Sequence, residues 1–172
     1  LAKTAADLVR QAREDVRDPV KAPLTLARLQ DLGVFNDLSS SPADSTLNDR
    51  KVAAFLDAVK RSANDGSGVD TLAEVQGIAS SFSKILDYAA DATGAPAPVM
   101  SDYTKVGVTV AVNAPATEAN VISVLGNAVK AAAPADVDTV AELNTLASIV
   151  DRLMQVANGV DPATLTPALT PS

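Results

Sequence analysis

Apolar positions along this chain recur with the spacing of helix faces, and clusters of turn-forming residues interrupt them. Between Leu72 and Ala89 the apolar residues are Leu72, Val75, Ile78, Ala79, Phe82, Ile85, Leu86 and Ala89, the i, i+3, i+4, i+7 pattern of one buried stripe. Breakers fall at Asp18–Pro23, Ser39–Pro42, Asn64–Gly68, Gly94–Pro98, Asn113–Pro115, Pro134 and Asn158–Pro162. The segments between them predict helices.

The pattern occurs twice. Shifted by 68 residues, the stripe becomes Val140, Leu143, Leu146, Ala147, Val150, Leu153, Met154 and Ala157, apolar at every position. The preceding helix repeats at a shift of 70, with Val52, Phe55, Ala58, Val59 and Lys60 answering to Ile122, Leu125, Ala128, Val129 and Lys130. Before it, Leu26, Leu29, Leu32, Gly33 and Val34 match Met100, Tyr103, Val106, Gly107 and Val108 at a shift of 74. Unequal shifts place the length differences in loops, around Asn36–Thr46 and Asn64–Gly68, where insertions cost little. Each unit thus predicts a short helix with a Gly stop, a second helix and a long third helix.

Both long helices open on the same phrase, "VDTLAEV" at Val69–Val75 and "VDTVAEL" at Val137–Leu143. Thr71 with Glu74, and Thr139 with Glu142, have the spacing of a capping box, in which hydroxyl and carboxylate satisfy each other's backbone amides. Asp70 and Asp138 add negative charge at the positive end of the helix dipole. Ser41-Pro42-Ala43-Asp44 is a further plausible helix start, with Pro at the first helical position. The expected fold is all-α: two tandem three-helix bundle units preceded by one helix of a further unit. Residues 1–22 would supply that preceding helix, through Leu1, Ala5, Leu8, Val9, Ala12 and Val16. Residues 23–97 and 98–164 would be the two units, and 165–172 a linker or the start of another. The opening Leu-Ala-Lys fits a piece of something longer.

Composition narrows the chemistry. The 172 residues contain no Cys and no His, which excludes disulfides, thiol nucleophiles and the commonest general base and metal ligand. Fourteen basic against twenty-one acidic residues give a formal charge of −7, unsuited to nucleic acid. No apolar run is long enough for a membrane span. Aromatics are only 3%, and apolar Ala, Val and Leu suit small helical bundles. The one oxygen-rich loop, Asn64–Asp70, offers Asp65 and Asp70 as weak calcium candidates, but they lack the spacing and the closing Glu of an EF-hand. Asp7, Glu14, Asp15 and Asp57 sit on polar helix faces, and Tyr88 and Tyr103 beside apolar ones as half-buried packing residues. No catalytic constellation emerges, so no enzyme and no cofactor is expected.

The stretches "ILDYAADATGAPAPVMSDYTKVGV" (Ile85–Val108), "TEANVISVLGNAVKAA" (Thr117–Ala132) and "VDTVAELNTLASIVDRL" (Val137–Leu153) resemble the Ala-rich helical repeats of very large secreted bacterial surface proteins, including RTX-related, type I secreted adhesins. The resemblance covers Leu26 to the C-terminus. The first copy departs from it, with Arg28-Leu29 where the second has Asp102-Tyr103. The resemblance implies an extracellular or cell-surface location and a non-catalytic spacer role, with neighbouring repeats and other surface-protein subunits as partners. The alternative is a helical binding module recognising a host protein or a neighbouring subunit.

Overall fold

A computed structural model describes residues 25–36, 38, 45–62, 69 and 71–165. The expected helix within 1–22, the start at Ser41–Asp44, the calcium candidates Asp65 and Asp70, and residues 166–172 lie outside the described residues. Among those described, 67% are helical and none is in a strand, so the chain is all-α. Six α-helices follow one another: α1 (Leu26–Asp31), α2 (Ser45–Arg61), α3 (Leu72–Ala89), α4 (Met100–Lys105), α5 (Glu118–Ala131) and α6 (Val140–Ala157). Short 3-10 turns at Pro134–Asp136 and Pro162–Thr164 flank α6.

The helix ends follow from local chemistry. Thr25, Thr71, Thr117 and Thr139 are extended N-caps, each hydroxyl accepting the amide three residues on. Four helices end in the same left-handed cap. After α1, the Gly33 amide donates to Gln30 O at 2.9 Å and the Val34 amide to Leu29 O at 2.8 Å. After α4, Gly107 donates to Thr104 O at 3.1 Å and Val108 to Tyr103 O at 2.9 Å. Gly33 and Gly107, at φ 80° and 87°, supply the left-handed turn that stops a helix after two turns or fewer. Asp91 (φ 52°) and Gly159 (φ 89°) do the same after α3 and α6.

One hydrophobic cluster runs through both halves. It includes Leu29, Phe55, Phe82, Ile85 and Leu86 from the first and Tyr103, Leu125, Val129, Leu143 and Val150 from the second. Phe35 and Phe55 meet edge to face, centroids 5.4 Å apart. Helix α3 is the hub: α2, α4 and α5 all pack on it, whereas α6 packs on α5 and touches α2. Nine α3 residues are buried, including Ser81 and Ser83, but only Val140, Leu143, Ala147 and Val150 of α6. The unequal burial of two equivalent helices is the main asymmetry of the fold.

Candidate functional site

Lys51 of α2 pairs with Asp87 of α3 at 2.7 Å within the first half, and other polar side chains meet where the second half joins the first. Two clusters form this junction, each built by a helix end presented to a helix face.

The first cluster is centred on α4. A six-residue helix is too short to be stable alone, because nucleation is costly. Val99 caps it without a side-chain bond, so Asp102, three residues on, turns back and its Oδ2 accepts the Val99 amide at 2.8 Å. The same oxygen accepts Lys84 Nζ of α3 at 2.7 Å, and Oδ1 lies 3.5 Å from Ser81 Oγ. The Asp102 side chain is 12% exposed and Lys84 25%, so this ion pair is largely withdrawn from water. Beside it Tyr103 is fully buried rather than half-buried, and its hydroxyl has no protein partner. Burial pushes the Tyr103 phenol well above its ordinary range, and the neighbouring Asp102 carboxylate pushes in the same direction. Tyr88 is half-buried, under Lys130, whose Nζ sits 5.4 Å from the ring centroid. Lys130 also pairs with Asp91 at 2.8 Å, and that hydrogen bond raises its pKa above the ordinary lysine value.

The second cluster joins α2 to the start of α6. Thr139 and Glu142 form a closed box, with Glu142 N to Thr139 Oγ1 at 3.2 Å and Thr139 N to Glu142 Oε2 at 3.0 Å. Thr71 and Glu74 repeat both distances on α3. Around the second box α2 adds two further contacts. Arg50 Nη1 donates to Asp138 Oδ2 at 2.6 Å, and Asp57 Oδ2 accepts the Val140 amide at 3.0 Å. Asp57 also holds Arg61 one turn on, at 2.9 Å. Asp57 is therefore a helix cap for a segment 83 residues away, not merely a solvated face.

Each short helix is also tied to the long helix of its own half. Gln76 Nε2 donates to Gly33 O at 2.6 Å, and Asn144, the equivalent residue, accepts the Thr109 amide at 2.9 Å. A Cβ on Gly33 would meet Leu72 at 3.8 Å; one on Gly107 would meet the equivalent Val140 at 3.8 Å. So α4 and the turn after it bridge two long helices: α3 through Asp102, and α6 through the Thr109 amide.

None of this arranges a reaction. The capping carboxylates are committed to amides, and Asp102 and Asp57 to cations and amides. Among the described residues no three His, Cys, Asp or Glu side chains are gathered around a possible metal position, and no helix is long and apolar enough to cross a membrane. The most polar cleft, at Tyr88, Asp91, Thr93 and Lys130, is open to solvent and its two charges pair with each other. A shallow apolar groove of about 330 Å³ lies along α6, lined by Ala132, Val137, Ala141, Leu146 and Ile149. Comparison with protein-family models, with curated proteins and with solved structures returned no match.

Proposed function

We propose that the chain is a non-catalytic structural segment of a bacterial cell-surface or secreted adhesin-like protein, in which residues 23–97 and 98–164 are tandem three-helix units acting as a spacer. The observation that carries the reading is the bridging short helix. Stacked modules need a joint at which each copy grips its neighbour, and α4 with the turn that follows it joins the long helices of successive copies, through Asp102 to Lys84 on one side and the Thr109 amide to Asn144 on the other. Supporting it, equivalent residues repeat equivalent bonds at Thr71/Thr139, Glu74/Glu142 and Asp91/Gly159, and Gln76/Asn144 each bond the turn after a short helix, one as donor and the other as acceptor. The polar groups of the junction are consumed in holding helices together, which suits a length-giving element.

The test is length. Chains with one, two or three additional copies of residues 90–157 inserted after Ala157 should grow in maximum dimension by equal increments in small-angle scattering. A dimension that rises only with the cube root of mass would sink the spacer reading.

A second reading, a helical module that binds a host protein or a neighbouring subunit, is favoured by one feature. Ile149 and Leu153 stand exposed on α6, 41% and 51% accessible.

A further inference from the structure

Helices α3 and α6 are copies, yet one face of α3 is covered and the same face of α6 is open. On α3 that face carries Gly77, Ser81, Lys84 and Ile85, and α4 lies across it: Asp102 bonds Ser81 and Lys84, and a Cβ on Gly77 would touch Lys105 at 3.9 Å. Ser81 and Ile85 are 2% and 0% exposed; their counterparts Ile149 and Leu153 are 41% and 51% exposed. We propose that this face of α6 is the docking site for a short helix of the α4 type, carrying a carboxylate at the position of Asp102 and opening a further module of the same kind. The proposal rests on the tandem reading above and names the surface through which it operates.

Charge identifies the occupant. Lys84, which receives Asp102, is matched by Arg152, a cation with no carboxylate partner among the described residues. The guanidinium fork suits a carboxylate at least as well as the ammonium it replaces. Ser81 is matched by Ile149, so the occupant should keep the carboxylate of Asp102 and present an apolar neighbour where α4 meets a hydroxyl. Thr145 in place of Gly77 adds a side chain where α4 makes only ordinary van der Waals contact, which a small shift accommodates.

A second observation concerns the other cluster. Arg50 and Asp57 of α2, which receive the start of α6, are matched on α5 by Asn120 and Asn127, both exposed. The positions of this second receiving cluster are therefore open on the second half too, with neutral amides where α2 carries Arg50 and Asp57. Asn127 can accept a helix-start amide as Asp57 does, through its side-chain oxygen.

A second copy of this chain is a poorer occupant. Its α4 already lies on its own α3, and its α1 carries Arg28 at the position of Asp102, which would set cation against Arg152.

The chain has no Cys, so a single Leu153→Cys reports access to the face. With a maleimide probe it should label rapidly in the 172-residue chain. In a chain with one inserted copy of residues 90–157 after Ala157, labelling of the same cysteine should slow by about tenfold, as for a tethered helix docked about nine-tenths of the time. Arg152→Glu should restore rapid labelling, and Asp102→Lys in the inserted copy should slow it again. Ile149→Cys gives the same readout should Leu153→Cys disturb folding. Labelling in the inserted chain within about twofold of the original, or an insert that adds no helical ellipticity, overturns the proposal. Slowing in the original chain that grows with concentration also overturns it, and makes a second copy the occupant. Scattering separates this from the spacer reading: equal length increments with unslowed labelling leave the spacer and remove this joint, whereas slowed labelling without increments does the reverse.

Discussion

Replacing Asp102 with Ala removes the carboxylate that ties α4 to α3. Its Oδ2 serves the Val99 amide at 2.8 Å and Lys84 at 2.7 Å, while the Ser81 contact, at 3.5 Å, is too long to count for much. Charge-assisted bonds of this kind each contribute about 1.5–3 kcal/mol net. Both figures need lowering, because Val99 is 49% exposed and the Lys84 side chain 25%, so water replaces part of what is lost. The expected cost of Asp102→Ala is about 2–3 kcal/mol, a sizeable part of the roughly 5–15 kcal/mol that holds a domain together. Asp102→Asn keeps an oxygen for the Val99 amide and loses the ion pair, so it should cost only about 1 kcal/mol. Urea unfolding followed by helical ellipticity, with unchanged m values, measures both. A loss under about 0.5 kcal/mol for Ala would refute the view that Asp102 anchors α4. Equal losses for Ala and Asn would show that the Val99 amide contributes nothing.

Thr71→Ala and Thr139→Ala should each cost about 0.5–2 kcal/mol in thermal or urea melts, and Glu142→Ala should cost more than Glu74→Ala because its box is part-buried and the other exposed. Unchanged stability in both threonine variants would be inconsistent with the capping geometry. Asp57→Ala should cost about 1–2 kcal/mol through the Val140 amide, whereas Arg61→Ala, which removes only an i,i+4 pair whose arginine is half exposed, should stay within about 0.5 kcal/mol. Tyr103→Phe should raise stability by about 1 kcal/mol, since it deletes a buried hydroxyl that no protein group satisfies. Tyr103 also sets an alkaline limit. Its folded-state pKa is raised, so above about pH 10 the unfolded chain ionises first and stability falls as pH rises. The Phe variant should show a shallower alkaline decline, and an identical slope in both proteins would exclude Tyr103 as its source.

Much of the helical layout is written in local pattern. Of the stripe, Val75, Ile78, Ala79, Phe82, Ile85, Leu86 and Ala89 are buried and Leu72, at the first turn, is partly so, because periodicity and burial are the same fact on a helix with neighbours around it. Thr71–Glu74 and Thr139–Glu142 are legible for a similar reason: a capping box is complete within four residues. Long-range pairings are not. Nothing in the polar helix face around Asp57 signals an amide 83 residues downstream, and Asp138 carries the charge of a helix start whether or not Arg50 reaches it. Leu153 shows the opposite failure. It occupies the apolar stripe of α6 as Ile85 does that of α3, yet it is half-exposed, since a pattern states only that a residue is apolar and not whether a partner arrives. Tyr103 is buried more deeply than an aromatic on a six-residue helix suggests, because α4 lies directly on the hub.

The bond from the Val140 amide to Asp57 couples the two halves in time as well as in space. A first-turn amide has no acceptor within its own helix, and its shield against exchange with solvent deuterium here is a carboxylate on α2. Whenever α2 opens, that proton is released even if α6 stays wound, so the exchange rate at residue 140 is a clock for motions of residues 45–61. One carboxylate that belongs to α2 and is used by α6 in this way ties the opening of the one to the protection of the other.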